Sequence, residues 1–124
     1  MKYIIFLLFF QTILFSQVKS IYAPVEKQMR LIPEQQTKSA QEIASYIQTN
    51  FKGEELQIKA AYFYVISTIS YDVTYNFSTE LFSSDEDFVT KTISTKKGVC
   101  IHYAKFFKAI IDKLGYQCQI VTGY

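Results

Sequence analysis

The stretch Lys97-Gly98-Val99-Cys100-Ile101-His102-Tyr103-Ala104 decides how this chain is read. Beyond Cys100, apolar side chains fall at Ala104, Phe107, Ile111 and Leu114, the spacing of one helix face. Lys105, Lys108 and Asp112 fall on the opposite face. Gly115 is the expected stop, because it tolerates the positive φ that ends many helices. Tyr116 to Tyr124 then reads as a strand, with Cys118, Ile120 and Thr122 alternating against Gln117, Gln119 and Val121. The expected unit is a loop, a cysteine at a helix start, the helix, a glycine and a strand.

A cysteine in that place has a chemical consequence. The first turn of a helix presents N–H groups without intrahelical acceptors and the positive end of the macrodipole. That setting favours the thiolate, the form of cysteine that attacks carbonyl carbon. Gly98, with no Cβ, would admit a substrate backbone close to the thiol. The competing reading is a cysteine packed as a small hydrophobe.

Upstream, Ser39 with Glu42 three residues later is a capping box. It opens a helix whose apolar face is Ile43, Tyr46, Ile47 and Phe51, and Gly53 stops it. A second helix runs from Glu54, with Leu56, Ala60, Phe63, Ile66 and Ile69 as its expected buried stripe. Tyr71-Asp72 closes it, Asp72 serving either to end a turn or to order one wall of a cleft. Ser84 caps a short helix through Asp87, Phe88 and Val89. Asn76-Phe77-Ser78 fits a glycosylation acceptor, relevant in a eukaryotic secretory pathway.

The amino-terminal stretch differs in kind. Residues 1–16 hold one early Lys and an apolar run from Tyr3 to Phe10, the size of a secretory signal peptide and short for a membrane span. The expected location is therefore secreted or periplasmic, with membrane contact only through an uncleaved signal segment. Residues 17–38 carry Pro24 and Pro33 without a period and read as a linker or extended arm. The remainder, 39–124, is one domain; 124 residues do not supply two. A net charge of +2 with dispersed lysines argues against nucleic acid. Lys96, Lys97, Lys105, Lys108 and Lys113 read as the solvated face of the cysteine helix. No signal of oligomeric state is present.

Two cysteines in an exported chain invite a disulfide, but the geometry opposes it. The helix advances about 21 Å from Cys100 to Leu114. A strand returning from Tyr116 recovers only about 7 Å by Cys118. The Cα atoms then lie beyond the roughly 7 Å a bridge allows, so Cys118 is expected inside the sheet.

Taken together, Gly98-Val99-Cys100, Tyr103-Ala104, Phe107, Leu114-Gly115 and Val121-Thr122-Gly123-Tyr124 resemble the transglutaminase-like family. Ala60 to Ser70 followed by Tyr71-Asp72 is similar to that family's helix ending in a Tyr-Asp pair, with Tyr64 in place of the usual Trp. The resemblance runs from about Ser39 to Tyr124. It implies an α+β, papain-like fold: helices followed by the first strand of an antiparallel sheet. It implies acyl chemistry on peptide or glutamine amides through a Cys100 thioester, with Gly98, Val99, Tyr103 and Tyr124 against the substrate.

A thiol nucleophile needs a base in reach and a group to orient that base. The chain has one histidine, His102, two positions after Cys100. Residues two apart on a helix point about 200° from each other, so His102 is expected as a surface or rim residue beside Lys105, Phe106 and Ala109. In the resembled family the catalytic His and Asp follow the Gly-Tyr on later strands, while this sequence stops at Tyr124. The expectation is thus a truncated domain, lacking those two groups and nearly inactive alone. A non-catalytic module binding extracellular or cell-wall peptides is the alternative. Neither a cofactor nor a metal site is expected, because one His and two separated Cys do not make a tetrahedral set.

Overall fold

The computed structural model describes residues 20–76 and 83–123. The signal-segment reading of 1–16, most of the glycosylation acceptor and Tyr124 lie outside the described residues. Five helices are described: α1 (Ala23–Arg30), α2 (Ala40–Asn50), α3 (Glu54–Thr68), α4 (Asp85–Thr95) and α5 (Cys100–Leu114). A 3-10 turn, Glu34–Gln36, joins α1 to α2. Two short strands, β1 (Ser70–Tyr71) and β2 (Lys97–Gly98), complete the description.

Local chemistry sets the helix ends where the sequence places them. The Ser39 side chain accepts from the N–H of Glu42 at 3.2 Å, and the Lys38 N–H donates to the Glu42 carboxylate at 2.9 Å. Gly53, at φ 92°, makes the sharp turn between α2 and α3. Ser84 accepts from the Asp87 N–H at 3.1 Å and starts α4. Gly115, at φ 91°, closes α5.

Packing follows a different plan from the single stripes. The cysteine helix α5 touches α2, α3 and α4, while α1 covers the far side of α3. With neighbours on three sides, α5 buries His102, Phe106, Ile110, Ile111 and Leu114 rather than Ala104 and Phe107. Phe106 and Ile110 belong to the same buried core cluster as Ile43, Ala44 and Ile47 of α2, which packs on α5. In α3, buried Ala60, Ala61, Phe63, Tyr64 and Val65 wrap around most of the helix, while Leu56 and Ile66 reach solvent. Three partners, α1, α2 and α5, pack on α3 and erase the single stripe expected there. Tyr64 meets the Phe106 ring edge-on, with ring centres 6.1 Å apart.

The stretch 17–38, expected as a linker, contains α1. Pro24 lies in the first turn of α1, where its missing N–H costs nothing, so the proline marks a helix start rather than a loop. Val25 and Met29 bury against α3, and the Arg30 guanidinium lies 5.0 Å from the Phe63 ring centre.

The antiparallel sheet expected at the carboxyl end is not formed. The described sheet has two strands, β1 and β2, and they are parallel, with Ser70 opposite Lys97 and Tyr71 opposite Gly98. Residues 116–123 carry no strand. A strand needs a neighbour to satisfy its backbone, and β1 and β2 are paired with each other. The tail is held instead by Tyr116, whose hydroxyl meets the Gln57 amide oxygen at 2.7 Å. Cys118 is therefore not inside a sheet but half-buried against the helical core, and both cysteines are free thiols. Among the described residues, no helix is long and apolar enough to cross a membrane.

Candidate active site

The parallel pair β1–β2 builds the site. The Ser70 N–H donates to the Lys96 carbonyl and the Asp72 N–H to the Gly98 carbonyl, each at 2.9 Å. These bonds bring Tyr71 and Asp72, at the exit of α3, beside the two residues that lead into Cys100. Val99 follows in extended conformation as the N-cap of α5, and Cys100 is the first helical residue. The Cys100 thiol is exposed. The Val99 carbonyl accepts from the N–H groups of His102 and Tyr103. The N–H groups of Cys100 and Ile101 come before any intrahelical acceptor and project from the same helix end.

The expected substrate-contacting residues separate on inspection. Gly98 and Val99 are buried, and Tyr103 is half-buried. The Tyr103 hydroxyl donates to the Ile69 carbonyl at 2.8 Å, tying α5 to the end of α3. Its ring stacks on exposed Tyr71, with centres 6.4 Å apart and planes at 30°. Tyr71 and Tyr103 thus form a two-ring surface one helical turn from the thiol. Tyr124 lies outside the described residues. The room that Gly98 leaves is already occupied: a Cβ there would fall 2.3 Å from the Cγ of His102.

His102 itself differs most from expectation. It is buried, at 5% exposure, rather than on the surface or rim. Its ring lies 4.5 Å from that of Phe88 and meets Tyr75 edge-on at 4.8 Å. Its Nδ1 accepts the Val99 N–H at 3.1 Å. Phe88 of α4 and Tyr75 of the turn after β1 cover the ring, so the side expected to face solvent is filled. One signal in the sequence pointed to this: His102 stands at the third helical position, where a capping box places its acceptor.

Asp72 forms a turn. Its Oδ1 accepts from the Thr74 N–H at 3.0 Å and the Thr74 hydroxyl at 2.7 Å. The Thr74 hydroxyl and N–H bonds hold the Asp72 carboxyl below its ordinary 3.8, assisted by the charge of Lys97. On the far side of α5, Lys105 pairs with Asp85 at 2.6 Å and Lys108 with Asp112 at 2.6 Å. Among the described residues, no group of three or more His, Cys, Asp and Glu is gathered to hold a metal ion.

Residues 41–124 match the family model of the transglutaminase-like superfamily, a span that takes in β1, β2 and all of α5. The chain belongs to the transglutaminase-like superfamily. Comparison with curated proteins and with solved structures returned no match. Within the superfamily span, Cys100 is the exposed thiol at a helix start; Cys118 is the half-buried one.

Proposed function

We propose that this transglutaminase-like protein is an exported thiol acyltransferase or peptidase with Cys100 as its nucleophile. The observation that carries the reading is the placement of Cys100: an exposed sulfur on the first residue of α5, inside the span matched by the family model. In the reaction, the thiolate adds to the carbonyl carbon of a peptide or glutamine-type amide. The amide nitrogen takes a proton from solvent and leaves as the amine, and the resulting thioester is resolved by an amine or by water, which returns the thiol. The N–H groups at the start of α5 face the charge that develops during addition. The general base is not His102, whose Nδ1 is engaged by Val99 and whose ring lies behind Gly98.

That engagement favours a second reading for the chain acting alone. The only histidine of the sequence is committed to the backbone, which suits a non-catalytic module that binds extracellular or cell-wall peptides. An activated ester separates the two, because it needs little help from a base. On incubation with p-nitrophenyl acetate, the nucleophile reading expects a single acetyl group on Cys100, located by mass spectrometry and released by added amine. Cys100→Ser should abolish it. Acetylation confined to surface lysines would overturn the reading and leave the binding module.

A further inference from the structure

The contacts of His102 give it a task that the family membership does not assign. It grips Val99 from both sides: its ring Nδ1 accepts the Val99 N–H, and its own backbone N–H donates to the Val99 carbonyl at 2.8 Å. Val99 is the residue from which Cys100 projects. We propose that His102 is the positioning residue of the thiol: its neutral ring fixes the Val99 peptide at the start of α5, and its protonation releases that peptide.

The surroundings are shaped for a ring at this place. Phe88 lies 4.5 Å from the ring on one side and Tyr75 4.8 Å away, edge-on, while Gly98 presents only its Cα. In this third helical position a Glu or Gln would ordinarily reach back to the N-cap N–H, and the imidazole does so here. An Nδ1 that accepts leaves the proton on Nε2, which fixes the tautomer. A second proton would convert Nδ1 into a donor facing another donor, and the Val99 N–H would lose its acceptor inside the protein.

Among the described residues, charged and titratable groups stand around the ring on several elements. Asp72 and Tyr75 belong to the turn after β1, and Lys97 to β2. Asp85 and Lys105 meet on the other side of Phe88, with the Lys105 Nζ 4.7 Å from that ring. Imidazole is the side chain whose charge ordinarily changes between pH 5 and 8, so acidification is the natural release.

The test uses the only histidine in the chain, which gives a single imidazole signal. At neutral pH, 15N NMR of the full chain should show the Nε2–H tautomer with an unprotonated, hydrogen-bonded Nδ1. The Nδ1–H tautomer, or a cation at pH 7, would overturn the proposal without reference to any mutant. Amide exchange then reads the grip itself. In the wild type, the Val99 amide should exchange roughly tenfold faster once the ring is protonated, relative to the intrinsic rate at each pH. His102→Gln, which keeps an acceptor but does not titrate, should retain protection without the pH step; His102→Leu should lose it at every pH. Equal protection in the Leu variant and the wild type would refute the role. The consequence for Cys100 rests on the nucleophile reading: its alkylation rate should follow the same pH step, and only in the wild type. Tautomer and exchange results stand apart from that rate, so the two claims fail separately.

Discussion

Replacing Gly98 by Ala is the sharpest structural test of this site. The new Cβ would lie 2.3 Å from Cγ, 2.4 Å from Cβ and 2.9 Å from Cδ2 of His102, where ordinary contact begins at 3.4 Å. The imidazole, and with it the helix backbone that carries its Cβ, would have to retreat by about 1 Å, yet Phe88 and Tyr75 stand around the ring. Overpacking of this kind costs about 1–3 kcal/mol. The retreat also stretches the Val99 to Nδ1 bond beyond its useful range, exposing a buried donor to a loss of about 1–3 kcal/mol. Because the two terms overlap, the expected total is about 2–4 kcal/mol. With a urea slope near 1.5 kcal/mol per molar, the unfolding midpoint should fall by roughly 1.3–2.7 M. Gly123→Ala, with nothing within 4 Å of its new Cβ, is the control and should leave the midpoint unchanged. A double-mutant cycle completes the assay: in a His102→Gly background, which removes the Cβ as well as the ring, the cost of Gly98→Ala should drop below about 1 kcal/mol. A cost under about 0.5 kcal/mol in the wild type, or the same cost in both backgrounds, would refute the reasoning.

Three further outcomes follow from the same geometry. Phe106→Ala removes a ring with 1% exposure from the centre of the core and should cost about 3–5 kcal/mol in urea unfolding. Ser39→Ala and Ser84→Ala each delete an N-cap acceptor and should cost about 1 kcal/mol apiece, adding independently because the caps serve different helices. The Asp72 carboxyl should titrate below its ordinary 3.8 in a 13C NMR titration. Its contribution to stability is then complete above that ordinary value and is lost as pH falls through the lower folded-state value. Thr74→Val should move the titration back up by removing the hydroxyl bond of 2.7 Å. A carboxyl that titrates at or above 3.8 in the wild type would contradict the turn as described.

Much of this was legible in the sequence because local chemistry decides helix ends. Ser39, Ser84, Gly53 and Gly115 each act on backbone groups within a few residues of themselves, so their effect needs no knowledge of the fold. Cys100 at a helix start was read in the same way, from the glycine before it and the apolar spacing after it. Which face of α5 lies deepest was not legible in detail. That depends on three neighbours, and the α2 and α4 contacts draw Phe106 and Ile110 inward. The first helix was missed because Pro24 reads as a breaker, although in the first turn it is permitted. The tail from Tyr116 has the alternation of a strand, but alternation cannot supply the partner a strand requires. His102 shows the same limit at the site: its angle on the helix was computable, while Phe88 and Tyr75, the residues that await it there, arrive through the fold.

The claim at the centre of this account is that Cys100 is the thiol presented for reaction. Iodoacetamide labelling of the folded chain at neutral pH, quantified by peptide mass spectrometry, tests it directly, with the chain unfolded in urea as reference. The account predicts that Cys100 reacts on the order of tenfold faster than Cys118 when folded, and that the difference vanishes on unfolding. Equal, slow labelling of both cysteines in the folded protein would contradict it.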